Sequence, residues 1–483
     1  MTAPLFRRTA ITGGPIALAA ALSACSSTPP PRTSATQRPP PADNRLRNLR
    51  DAPEVIVAGE KLDADLLKRF YARHDFDWVW TTRPAQAEAL TQAVLRAGDH
   101  GLDPELFHAS LLQRRSSFPT LRRELLLSHA LLTYAQTLSA GAMPADRRKD
   151  AEALTPDSID IPAALDTIIA SPDPAAALEA LAPSTPTYLA LRQALRRYRS
   201  GNPPAGIIPT LSNALFRGNP RFRAPPPPRI TIADRIRTIE VNLERQRWLP
   251  RPLPADRAWV NVADQRLVLY RDDEAVFSTK VIVGDIAPVN QSPEFHTKIE
   301  ASFFNPPWVI PADIVTAEYL PRLTRDPTYL ERNNMVLRDN GEVEQRPGPT
   351  AGLGLVMFDM PNRFDVYLHD TPDRHLFNRD NRRLSHGCIR VQNPVEFAAL
   401  LMEQPIEAIN EGIALGSTTR NSLPTPVPVF VTYQTAFADA AGGVEFRPDF
   451  YGRDGDVWQR MQRQPEGRNA PADGRPGSAG RVS

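Results

Sequence analysis

The sequence predicts a multidomain α+β protein, a helical amino-terminal domain followed by a β-rich one, on three observations. Apolar residues recur at helical spacing from about residue 46 to residue 200, then switch to a period of two from residue 258. Prolines, 50 of 483 residues, cluster at 29–41, 203–228 and 424–428, where they stiffen connectors instead of interrupting cores. The length exceeds one ordinary core, so two or three domains are expected. Lys and Arg at 57 against Asp and Glu at 55 leave a formal charge of +2, which gives no basis for nucleic-acid binding.

Arg7 and Arg8 precede an apolar, alanine-rich run over residues 10–21 and then Leu22-Ser23-Ala24-Cys25, so residues 1–25 read as a secretory signal. The run is too short to span a bilayer, and no later segment reaches about 18 continuous apolar residues, so an exported, non-integral protein is expected. Leu-Ser-Ala-Cys resembles the bacterial lipoprotein processing box, which implies that Cys25 is acylated and becomes the new amino terminus; an ordinary cleaved signal is the alternative. Ser26 after it resembles lipoproteins sorted to an outer membrane. With Cys25 acylated, Cys388 is a lone thiol in an oxidising compartment and has no disulfide partner. Residues 26–45 lack the apolar content to fold and read as a tether.

Residues 46–200 carry sets such as Leu62, Leu66, Leu67 and Phe70, or Leu127, Leu131, Tyr134 and Leu138, which predict a helical scaffold domain. Trp78 and Trp80 could form a sugar-stacking platform but read as core. Residues 201–228 form a Pro-rich connector. Residues 229–254 hold one amphipathic helix, with Ile232, Ile236, Ile239 and Leu243 on one face and its charges on a solvated one.

From residue 255 to 440 a β-rich domain is expected. Three strands lead off, with turns at Ala263-Asp264-Gln265 and Asp272-Asp273-Glu274. It runs on through residues 303–309, is interrupted by a helical, charged insertion at 311–346, and resumes at 353–358 and 365–369. A helix at 394–402 and a last strand at 428–437 complete it, and residues 455–483 read as a disordered tail.

The chemistry concentrates between Tyr367 and Pro394. A nucleophilic thiol needs a base, donors for a developing oxyanion and a backbone that presents it. His369 ends an apolar strand, where an imidazole can be held rigidly. Gly387 beside Cys388 can adopt backbone angles closed to other residues, letting the amides of the turn converge. Two alternatives stay open on residue types alone: buried structural groups, or a metal site drawn from His369, Asp370, His375, His386 and Cys388, whose spacing matches no common zinc pattern.

His369, a spacer, then Ser385-His386-Gly387-Cys388-Ile389-Arg390 resembles the signature of the L,D-transpeptidase (YkuD-type) catalytic domain. VIVG at 281–284, FFNPPWVIP at 303–311, QRPGP at 345–349 and YLHDTP at 367–372 resemble its large periplasmic Gram-negative branch. HGLDP at 100–104, NLERQRWLP at 242–250 and FRPDFYGRD at 446–454 resemble that branch's scaffold, inter-domain helix and carboxyl-terminal edge. Two departures stand out. The peptidoglycan-binding module often found between scaffold and catalytic domain is replaced by the 201–228 stretch, and Thr350 stands where asparagine is usual before Ala-Leu-Gly.

The resemblance implies a β-sandwich-like catalytic domain with residues 311–346 as a cap over the substrate. It implies that Cys388 attacks the L-centre carbonyl of diaminopimelate in a tetrapeptide donor stem, expelling terminal D-alanine. His369 would be the base, oriented by the Asp370 carbonyl, and the Gly387 and Cys388 amides would hold the oxyanion. Ser385 and His386 would shape the site, and Arg390, Asp370, Tyr367 and Trp308 would contact substrate. Attack on the thioester by a neighbouring diaminopimelate amine gives a 3→3 cross-link, with no cofactor or metal, by a monomer bound to the membrane through its lipid anchor in the periplasm. Rival outcomes of the same acyl-enzyme are L,D-carboxypeptidase or hydrolase action and protein attachment to the wall; a non-catalytic wall-binding lipoprotein is the rival outside enzymology.

Overall fold

The computed structural model describes residues 46–202, 230–310 and 312–462. The expected signal with Cys25, the 26–45 tether, nearly all of the 201–228 connector and residues 463–483 lie outside them.

The amino-terminal domain is built around helix α1, Thr120–Ala140, which buries Leu126, Leu131, Leu132, Tyr134 and Leu138 on more than one side. Packed on it are Ala64–Ala72, Pro84–Leu95 and Ile161–Ala170, through Phe70, Leu90 and Leu165, and α2, Pro186–Arg199, joins the same core through Leu191 and Leu195. Trp80 is core: its indole N–H donates to Ser128 Oγ at 2.8 Å.

Helix α3, Ile232–Arg247, begins at a Thr231/Asp234 capping box. It corrects one expectation. Asp234 and Arg237 in its first half do face solvent, but the charges of its second half do not, because that half is buried on two sides: Ile239 and Leu243 join the scaffold core, while Val241 and Trp248 pack with Phe430 of the following domain. Glu244, Arg245 and Arg247 are all but fully buried and paired instead. Arg245 meets Asp454 at 2.6 Å and Glu294 at 3.9 Å, and Arg247 meets Glu244 at 2.9 Å. Glu244 also accepts the Ala142 and Met143 amides, both at 3.0 Å.

In the carboxyl-terminal domain the sheet strands are β1 Arg257–Asn261, β2 Arg266–Arg271, β3 Glu274–Gly284, β4 Phe295–Phe304, β5 Val356–Asp359, β6 Leu368–His369, β7 Arg383–Ser385, β8 Ile389–Val391 and β9 Thr419–Thr432. The β2–β3 turn has positive φ at Asp272 (49°) and Asp273 (65°), the geometry a tight hairpin requires. Among the described residues these strands form one nine-stranded sheet in the order β7-β3-β8-β6-β5-β4-β9-β1-β2. The long β3 also pairs with β2, so the sandwich-like domain is a single sheet closed on itself. Val260, Leu269, Val281, Ile299, Phe358, Leu368, Ile389 and Val429 fill it, sealed by Phe397 of helix α4, Pro394–Met402.

Three further expectations change. The last strand begins at Thr419, and a separate hairpin, Ala436–Ala438 with Val444–Phe446, folds back into the scaffold core. Residues 455–462, expected in a disordered tail, lie in helix α5, Arg453–Gln462, which buries Val457 and Met461. The insertion also draws in the strand before it. Trp308–Ile310 pairs with Val343–Gln345, which pairs with Met335–Leu337, over a small core of Ile310, Tyr319, Met335 and Val343.

Candidate active site

β6 and β8 run parallel with Leu368 opposite Ile389 and His369 opposite Arg390. Side chains alternate along a strand, so Leu368 and Ile389 enter the core while Tyr367, His369, Cys388 and Arg390 share the other face. Diagonal positions on one face are roughly 7–8 Å apart between Cα atoms, a span that an imidazole and a thiol can close by a rotamer change. The Cys388 thiol points to the Asp365 carbonyl oxygen at 3.7 Å and makes no hydrogen bond to His369.

His369 is buried and its Nδ1–H donates to the Asp370 carbonyl at 2.6 Å, which leaves Nε2 as the basic nitrogen. Burial, then the Arg390 charge, pulls its pKa down to about 3 against the opposing backbone carbonyls of Asp370 and Leu353. Burial pushes the Cys388 thiol up, with the Tyr367 backbone and then the Arg390 charge acting in the other direction. At neutral pH the pair is therefore a neutral imidazole and a thiol, not a thiolate–imidazolium ion pair.

Asp370 serves the site from below. Its carboxylate accepts the Leu355 amide at 2.8 Å and the Thr371 amide at 2.6 Å and pairs with Arg374 at 2.6 Å. It fits because residue 354 is glycine: φ there is +63°, and a Cβ would stand 2.4 Å from the carboxylate. Gly354→Ala is expected to cost about 2 kcal/mol or more in urea denaturation, since it combines left-handed strain with a clash; an unchanged midpoint would contradict this packing.

The turn before the thiol is held on both sides. Gly387 has φ +119°, outside the range of side-chain-bearing residues. The Ser385 hydroxyl donates to the Cys388 carbonyl at 2.6 Å and accepts the Gly387 amide at 3.2 Å. This corrects the expected pair of oxyanion donors: the Gly387 N–H is spent inside the turn, and the Cys388 N–H is the amide without a partner among the described residues. Ser385 is thus a positioning group.

His386, 44% exposed, turns outward to Glu318 of the insertion, Nε2 to Oε1 at 2.7 Å. Arg390 lies 3.8 Å from Asp373, and its buried Nε has no partner. Trp308 belongs to the cap's sheet and backs Gly352, where a Cβ would come to 3.0 Å from its ring. No group of three or more His, Cys, Asp or Glu suited to a metal occurs among the described residues.

Sequence reasoning missed Ser292 and Tyr451. The Ser292 hydroxyl donates to the Gly387 carbonyl at 2.7 Å and accepts the Gly284 amide at 3.0 Å. Tyr451 OH donates to the Gly284 carbonyl at 2.6 Å, and its ring stacks on Tyr433 at 5.2 Å under Arg453. The tyrosine lies inside FRPDFYGRD, a stretch whose resemblance could have flagged it; Ser292 carries no such signal.

A model of the L,D-transpeptidase catalytic domain matches residues 255–440, and one of the Scaffold domain matches residues 65–195. A Haemophilus influenzae protein named "Putative L,D-transpeptidase" is 32% identical over 219 residues, 41% of this chain. The match spans 44% of that relative's length. Among solved structures, an L,D-transpeptidase from Mycobacterium smegmatis is 13% identical with a TM-score of 0.20, covering 37% of this chain and 58% of its own. An Enterococcus faecium L,D-transpeptidase mutant gives 13%, 0.19, 37% and 50% for the same quantities. The structural scores carry no argument, and the assignment rests on the two domain models. Residues 255–440 are therefore an L,D-transpeptidase (YkuD) catalytic domain, behind a Scaffold domain over residues 65–195.

Proposed function

We propose that this protein is a peptidoglycan L,D-transpeptidase that forms 3→3 cross-links between stem peptides through a thioester on Cys388. The observation that supports it best is the shared face of β6 and β8, which sets a thiol beside a buried neutral imidazole. Cys388 Sγ forms a bond to the L-centre carbonyl of diaminopimelate in a tetrapeptide donor while His369 Nε2 takes the thiol proton. The oxyanion accepts the Cys388 N–H. Collapse breaks the bond to D-alanine, whose amine takes the proton back from His369. An amine of a second stem then attacks the thioester and releases Cys388. The partly exposed end of the Arg390 guanidinium, beside Asp373, would pair with a stem carboxylate.

Lipidation at Cys25 would hold the enzyme at the periplasmic side of the outer membrane, with residues 26–45 as its tether. Incubation with defined tetrapeptide muropeptides is the deciding experiment: dimers are expected, whereas monomeric tripeptides alone would identify an L,D-carboxypeptidase and sink the cross-linking reading. Transfer to a protein lysine with no dimers would point to wall attachment instead.

A further inference from the structure

We infer that Glu318 is a positioning residue that latches the cap to the nucleophile's turn through His386. The inference rests on the transpeptidase reading for its substrate, not for its geometry. Among the described residues, no other side-chain hydrogen bond or ion pair joins residues 312–332 to the sheet. That link lands two residues before Cys388, at 2.7 Å.

Glu318 is built for one position. It lies in a single π-helical turn, Val315–Tyr319, within an otherwise α-helical run. Such turns are uncommon, and they shift the following side chains out of α register. Its second oxygen accepts Arg322 Nη2 at 3.1 Å, and Arg322 Nη1 donates to Tyr329 OH at 3.2 Å. The guanidinium also lies over the Tyr319 ring, 5.4 Å from its centroid, and Tyr319 is part of the cap's own core. The carboxylate therefore connects that core to His386. On the cap's other side Gln345 accepts the Gly352 amide at 2.7 Å, close to where the chain re-enters the sheet. The helical half is thus fastened at its free edge by Glu318. A stem peptide bound between cap and thiol would be enclosed while the latch is made, and released when it opens.

The test compares Glu318→Ala and Glu318→Gln with the unmodified protein in three measurements: amide hydrogen exchange over residues 312–332, kcat and KM with a tetrapeptide donor, and alkylation of Cys388 by iodoacetamide. Partly exposed ion pairs have modest effects, so Glu318→Ala is expected to speed cap exchange and raise KM by about threefold to fivefold. The kcat and the alkylation rate should hold or rise, since a small reagent does not need the cap. Glu318→Gln keeps an acceptor and should recover part of the KM. Unchanged exchange in the cap, or alkylation falling together with peptide acylation, would overturn the latch. Absence of any peptide product from the unmodified protein would count against the proposed function, and the latch would then stand or fall on the exchange result.

Discussion

Replacement of His369 by alanine is expected to slow acylation of Cys388 by a tetrapeptide donor by about a thousandfold, the range removed with a general base. Mass spectrometry of the intact protein reads the adduct directly. Cys388→Ala should give no adduct at all, and His386→Ala, whose ring faces Glu318, should retain a measurable fraction. The pH dependence has a definite sign. His369 is neutral above about 3, so no loss of base is expected between pH 5 and 7. The thiol is raised, so acylation should hold or climb as pH rises toward its titration. An acid limb centred near 6.5 that shifts in an Arg390→Gln variant would contradict the buried neutral imidazole.

The same burial has a stability counterpart. The folded state holds His369 at about 3, below the roughly 6.5 of an unfolded chain, so the unfolded chain binds the extra proton first. Its contribution is complete above about pH 6.5 and is lost as pH falls from there toward 3, on the order of 5 kcal/mol in all. His369→Gln should flatten that part of the stability curve.

Arg245→Ala is expected to cost about 3–5 kcal/mol, because it leaves buried Asp454 without its cation and Glu294 with Arg453 alone, at 3.5 Å. Both carboxyls are already pushed up by burial, with the Arg245 charge pulling them down. Urea denaturation checks it, and Asp454→Asn, which keeps a polar group toward Arg245 and the Thr435 hydroxyl, should cost less. A loss below about 1 kcal/mol for Arg245→Ala would mean that the network is solvated.

The contrast between residues that were legible and those that were not follows from the range of the interactions involved. Helix α4 and the first three strands lie where periodicity places them, since each depends on neighbours a few residues away. Tyr367 through Arg390 could be read as a thiol site because strand end, glycine and cysteine are local features. The burial of Arg245 and Arg247 could not: an amphipathic pattern reports one apolar face, and only the two domains closing on α3 remove water from the other. Residues 453–462 likewise become helical by docking Val457 and Met461 against Trp248 and Phe430, a gain absent from composition.

By itself the sequence determined the two-part architecture, marked Cys388 and His369 as the candidate reacting groups, and called for glycine at 387. Tertiary structure alone decided their states. It set the protonation of His369 by burial, assigned the Gly387 amide to Ser385 and left Cys388 N–H open, and brought Ser292 and Glu318 to one turn, with Tyr451 behind Ser292. The division has a single cause: reactivity is a property of a side chain's atoms, whereas pKa, hydrogen-bond partner and access depend on what long-range folding places within a few ångströms of them.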